Sequence, residues 1–287
     1  MRVSEAKTKI TAVLTSAGIA AEEAAFEARL FLSAQLGCAL SELPLQHAAE
    51  IDMAALAPQL RRRIAGEPLQ YILGETEFMG LRLISAPAAL NPRGDSEALI
   101  EAAIELARGW DAPRIADICT GGGAFALALA HYLPQARLYA VDISAQALAL
   151  ARDNAAALGL GGRIDFYQGD LLEPLAARGL RFELIVANPP YIPTAELEYL
   201  PPEVRHEPVI ALDGGADGLD FYRRLAQETR AALADGGYLL LEHGCSQAAA
   251  VSELLREQGF GIARVINDWG GRERGVLAKS GRSGGRE

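Results

Sequence analysis

The sequence predicts an α/β protein: a mostly parallel sheet with an antiparallel last strand, preceded by a small helical N-terminal domain. From about residue 91 onward, strand-like apolar runs alternate with helical stretches, the pattern of a parallel sheet covered by helices on both faces. The last two apolar runs, Ile262–Asn267 and Gly275–Lys279, are separated by Gly270-Gly271. That connection is too short for a crossover helix and requires antiparallel pairing. Residues 1–70 are instead dominated by Ala, Leu and Glu, with Ala25, Leu30, Leu32 and Leu36 at near-helical spacing.

Taken in order, residues 1–70 read as four or five short helices, broken at Gly18, Gly37, Pro44 and Pro58. Tyr71–Ile84 brings aromatic and β-branched residues punctuated by glycine, which predicts a hairpin, and residues 71–90 form the connection between domains. The third region, 91–279, opens with a helix over Ser96–Arg108. Its strands are expected at Arg114–Ile118, Arg137–Ile143, Arg163–Gln168, Phe182–Ala187 and Tyr238–Glu242, with helices at Ala145–Leu158 and Phe221–Leu233 among those between them. Residues 280–287 read as a flexible tail.

The chain has 287 residues, half of them hydrophobic and 22% charged, enough for a sizeable core in one large or two modest domains. No apolar run approaches the ~20 residues of a membrane span. The amphipathic start Met1–Lys7 lacks the apolar core of a signal peptide, so export is not expected. Three scattered cysteines fit a reducing, cytoplasmic setting, and four histidines without ligand spacing predict no metal. With 37 acidic and 27 basic residues the net charge is −10, which opposes attraction to a phosphate backbone. Stable nucleic-acid binding is therefore not expected, although Arg61-Arg62-Arg63 could make local phosphate contacts.

Two motifs carry chemistry. Asn188-Pro189-Pro190-Tyr191 follows the apolar run 182–187; average composition yields an [Asn/Asp/Ser]-Pro-Pro-aromatic string in about one chain in a hundred of this length. The prolines hold Asn188 extended and stiff at a strand's carboxyl end, where open α/β sheets place ligands. Asn188 and the Pro189 carbonyl offer acceptors and Tyr191 a flat face, a set suited to a planar NH2 group. A Pro-rich turn with a half-buried tyrosine explains the same letters. The second motif, Cys119-Thr120-Gly121-Gly122-Gly123, leads from a strand into a helix, and Asp142 ends the next strand, 19 residues past Gly123. Glycines there let backbone approach a ligand at a helix N-terminus, and the carboxylate suits ribose hydroxyls. A nucleoside cofactor follows, but a nicotinamide dinucleotide satisfies the loop as well. Asp170 and Leu171, after the third strand, suit an adenine amine and ring.

At these residues the chain resembles the class I methyltransferases that use S-adenosylmethionine, with their Rossmann-like sheet. More closely, it resembles the bacterial peptide chain release factor N5-glutamine methyltransferases. The resemblance runs from about residue 5 to residue 279 and includes segments 66–74, 92–97, 188–191, 205–208, 213–219 and 240–244. It departs at Cys119, where that family usually has glycine, and at Asn91–Glu97, where it usually has Ile-Pro-Arg-Pro-Asp-Thr-Glu. The resemblance implies that residues 119–123, Asp142, Leu171 and Asn188 contact S-adenosylmethionine and that Asn188, Pro189, Pro190 and Tyr191 hold the substrate. That substrate would be the glutamine of the Gly-Gly-Gln tripeptide in class 1 release factors, bound by a monomer with help from the N-terminal helices. Asn188, Pro189 and Tyr191 would be the catalytic set. A ribosomal-protein glutamine or an amino group on nucleic acid offers the same NH2 chemistry.

Overall fold

A computed structural model describes residues 1–281. The chain divides into two compact units, Met1–Gly74 with Pro201–His206, and Glu75–Leu200 with the remainder from Glu207.

In the first unit, α1 (Val3–Ser16) and α2 (Ala21–Leu36) bury Ile10, Leu14, Phe31 and Leu32, and Gly37 closes α2 at φ 62°. A 3-10 turn at Leu43–Gln46 leads to α3 (Met53–Ile64), whose start is capped by Asp52 Oδ1 accepting from the Ala54 and Ala55 amides. Pro58 does not break this helix, contrary to the expectation. It removes one amide donor, but Leu56, Leu60 and Arg63 bury one continuous face across it. Arg63 spans that face to Glu27 at 2.8 Å, with both side chains almost fully buried. Tyr71–Leu73, read as the start of a hairpin, instead belong to a short helix α4 (Leu69–Leu73) that ends at Gly74 with φ 78°.

The second unit begins with the hairpin β1 (Glu75–Phe78) and β2 (Leu81–Ile84), turned by Met79 and Gly80 at φ 52° and 72°. Two positive φ values in a two-residue loop match the twist of the flanking strands. Then follow α5 (Glu97–Ala107), β3 (Arg114–Ile118), α6 (Ala124–Tyr132), β4 (Arg137–Asp142), α7 (Ala145–Ala157) and β5 (Ile164–Gln168). The chain continues through α8 (Glu173–Ala176), β6 (Phe182–Ala187), α9 (Asp220–Ala232), β7 (Leu233–Glu242), α10 (Ala248–Glu257), β8 (Phe260–Asn267) and β9 (Glu273–Ser280). Ser280 is thus the end of a strand and not part of a tail; residues 282–287 lie outside the described residues.

The seven-stranded sheet has the order β5-β4-β3-β6-β7-β9-β8. Pairs from β5 to β7 are parallel, and β9 pairs antiparallel with both neighbours. Its strands are apolar on both faces because helices cover both. Ile115, Leu184, Val186 and Leu240 face a core with α5 and α6, whereas Ala116, Ile185, Leu239 and Leu241 face one with α9 and α10. The strand order reverses between β3 and β6, so the carboxyl ends of these two strands diverge into a crevice where α/β sheets bind ligands.

Candidate functional site

The turn after β3 is built by conformations that most residues avoid. Cys119, Gly121 and Gly123 all have positive φ, and for cysteine that left-handed backbone costs on the order of 1 kcal/mol. Asp117 compensates from beneath: its buried carboxylate accepts from Thr120 Oγ1 at 2.6 Å and from the Ala126 amide at 3.0 Å. Burial pushes the Asp117 carboxyl up to about 7, against those two hydrogen bonds. Gly123 serves packing, because a Cβ there would stand 3.1 Å from Ala151 Cβ and 3.2 Å from Leu127.

Asp142 ends β4 facing that turn. Its Oδ2 accepts from the Gly121 amide at 2.8 Å and its Oδ1 from the Ser144 amide at 2.9 Å. Burial raises its carboxyl, while these amides favour the ionised form. Each oxygen keeps a lone pair for a further donor. Asn154, on α7, ties the hairpin to the turn: Oδ1 accepts from the Ile84 amide at 2.6 Å and Nδ2 donates to the Gly122 carbonyl at 3.0 Å. After β5, buried Leu171 adopts φ 44°, and Asp170 pairs with Arg224 of α9 at 2.9 Å.

These groups surround a cavity of about 320 Å³ at the carboxyl ends of the strands. Cys119, Thr120, Gly121, Gly122, Asp142, Asp170, Leu171, Asn188 and Pro190 line it together; Gly123, Pro189 and Tyr191 are not in its wall. Asp117, Ser96, Phe125, Asn154, Phe221 and Arg224 also line it, none of them singled out from the sequence as site residues. Only Asp117 carried a visible signal, as the acid opening the glycine-rich turn.

The tetrapeptide after β6 is braced from behind. The Tyr191 carbonyl accepts from Gln247 Nε2 at 3.0 Å, and Ile192 exchanges backbone bonds with Leu212 and Gly214 at 2.9 and 2.8 Å. Gly214 packs so closely that a Cβ would lie 2.7 Å from Tyr191 Cα. Burial pushes the Tyr191 hydroxyl up to about 12, so the ring remains neutral at ordinary pH. Asn188 is half-buried, and beside it lies Glu242, 2% exposed.

A methyltransferase domain model matches residues 115–206, and a PrmC N-terminal domain model matches residues 5–74. The release factor glutamine methyltransferase of Moorella thermoacetica is 48% identical over 247 residues, covering 84% of this chain and 87% of that protein. The protein of the same description from Deinococcus radiodurans is 43% identical over 288 residues, 99% of this chain and 100% of its own. A solved methyltransferase from Pyrococcus furiosus shares the fold with TM-score 0.52 at 16% identity, over 79% of this chain and 99% of that one.

Proposed function

We propose, because the chain belongs to the release factor glutamine methyltransferases, that it methylates the side-chain amide nitrogen of the glutamine in the Gly-Gly-Gln tripeptide of class 1 peptide chain release factors, with S-adenosylmethionine as donor. The observation that carries this reading is that Asn188 and Pro190 share one cavity with the glycine-rich turn and Asp142.

The cavity's chemistry fits that donor. On its wall Arg224 is engaged by Asp170, burial pushes the Asp117 carboxyl up to about 7, and Asp142 keeps a carboxylate with no cation paired to it among the described residues. Such a wall favours a cation and opposes a diphosphate, which argues against a nicotinamide dinucleotide. When bound, S-adenosylmethionine supplies an electrophilic methyl on a sulfonium leaving group.

The protein's own residues do the rest. Asp142, oriented by two backbone amides, accepts from ribose hydroxyls. Asp170 and Leu171 take the adenine amine and ring. An amide nitrogen is a poor nucleophile because its lone pair is delocalised. Asn188 Oδ1 and the Pro189 carbonyl therefore accept its two hydrogens, an interaction that strengthens as positive charge develops on nitrogen. Tyr191, which follows Pro190 of the wall but lies outside it, is the residue assigned to cover the amide plane. No strong base is required, since the proton leaves after methyl transfer. In-line positioning supplies much of the acceleration.

The protein acts as a cytoplasmic monomer and without stable nucleic-acid binding, the last of these supported by its net charge of −10. Among the described residues, no helix is long and apolar enough to cross a membrane. Radiolabelled methyl from S-adenosylmethionine should enter a class 1 release factor and fail to enter one whose tripeptide glutamine is replaced by glutamate. Label appearing only in ribosomal protein or RNA would overturn the assignment.

A further inference from the structure

We propose that Glu242 is a positioning residue for methyl transfer, holding the Asn188 side chain by its Nδ2 group so that Oδ1 is turned to the cavity. This rests on the assignment of Asn188 as the substrate's hydrogen-bond acceptor. The sheet brings the two together. β6 and β7 run parallel with Ala187 opposite Leu241, so the residues that follow, Asn188 just past the end of β6 and Glu242 at the last position of β7, stand side by side. Asn188 lines the cavity, whereas Glu242 lies behind it, 2% exposed, its backbone carbonyl pinned by the Tyr222 hydroxyl at 2.8 Å. The Asn188 amide and the Ser96 hydroxyl face the Glu242 carboxyl and favour its ionised form. Glu242 Oε2 and Ser96 Oγ have no close partner of their own. Arg274, nearby, gives one terminal nitrogen to Asp95 at 3.0 Å and Asp268 at 3.2 Å, and its buried Nε has no close partner either.

An asparagine amide has nearly the same shape with its oxygen and nitrogen exchanged, yet only one orientation presents an acceptor to the substrate NH2. An ionised carboxylate offers acceptors alone, so it binds Nδ2 and selects that orientation. A protonated carboxyl also carries a donor, and it can capture Oδ1 instead. The titratable and charged groups facing Glu242 are Arg274, which lowers its carboxyl, Asp95, which raises it, and the neutral hydroxyls of Tyr191 and Tyr222. Burial outweighs them and pushes Glu242 up to about 7. The selecting form is therefore present above that pH and lost below it.

The test is kcat for release factor methylation from about pH 6 to about pH 8, together with S-adenosylhomocysteine affinity, for the wild-type protein and Glu242→Gln. The wild-type kcat, read at saturating S-adenosylmethionine so that titration of Asp117 beneath the cofactor turn does not enter, should rise with pH through about 7. Glutamine offers both donor and acceptor at the same volume. It should lower kcat on the order of a hundredfold, the loss that a misplacement of about 1 Å can cause, leave cofactor affinity unchanged and flatten the pH profile. Glu242→Gln with wild-type kcat overturns the inference. If that variant fails to fold, a wild-type kcat independent of pH overturns it equally. No transfer by wild-type protein at any pH overturns the substrate assignment and this inference with it; wild-type transfer with an unaffected variant overturns this inference alone.

Discussion

Asp142 holds two backbone amides before any ligand arrives, so its carboxylate is pre-oriented and loses little freedom on binding. Asp142→Ala removes acceptors for the ribose and frees the Gly121 amide at once. The KM for S-adenosylmethionine should rise by about ten- to a hundredfold, the equivalent of about 1–3 kcal/mol. The kcat at saturation should change little. Steady-state kinetics checks this, and a collapsed kcat at unchanged KM would assign Asp142 a different role. Two other residues of this wall, Cys119 and Leu171, hold left-handed backbone without being glycine, strain of the kind that gathers at ligand sites. Neither φ value was visible in the sequence, because cysteine and leucine give no signal for that conformation.

At the scale of elements, the loop 213–218 acts as a brace for the turn after β6. Gly214→Ala would place a methyl 2.7 Å from Tyr191 Cα and 2.8 Å from its carbonyl carbon, both backbone atoms with no room to yield. The expected outcome is a loss of about 1–3 kcal/mol in stability and a fall in kcat, read from chemical denaturation and turnover; a neutral result would contradict the bracing role. In the first unit, Arg63 and Glu27 form a buried pair at 2.8 Å, and Arg63 also reaches the more exposed Glu203, which water can satisfy if the pair is replaced. Arg63→Met leaves the carboxylate uncompensated and should cost about 3–5 kcal/mol, whereas replacing both partners by apolar residues should cost much less. Thermal melts of single and double variants check that difference. The same elements mark where local reading fails. Pro58 and Tyr71–Leu73 follow strong local signals for a break and a strand, but burial of the Leu56–Leu60–Arg63 face and the Gly74 cap decide for helix.

For the molecule as a whole, the succession of strands along the chain and the antiparallel end were legible because period, spacing and the short Gly270-Gly271 link are local properties, whereas the order of the strands in the sheet comes from the structure. The glycine-rich turn, Asp142 and Asn188 were legible as motifs for the same reason. Asn154 and Gln247 were not, and Glu242 was visible only within the segment 240–244 that carries the resemblance, without a role. Their importance comes from register across neighbouring strands and from helices far along the chain, as in the 56 positions between Tyr191 and Gln247. The central claim, that Asn188 presents the tripeptide glutamine to a sulfonium methyl, is tested most directly by tandem mass spectrometry of a class 1 release factor after incubation with this protein and S-adenosylmethionine. One methyl group should be found on the side-chain nitrogen of the Gly-Gly-Gln glutamine with wild-type protein, and none with Asn188→Ala that still binds S-adenosylhomocysteine. An unmodified glutamine with wild-type protein, or equal modification by the variant, would contradict it.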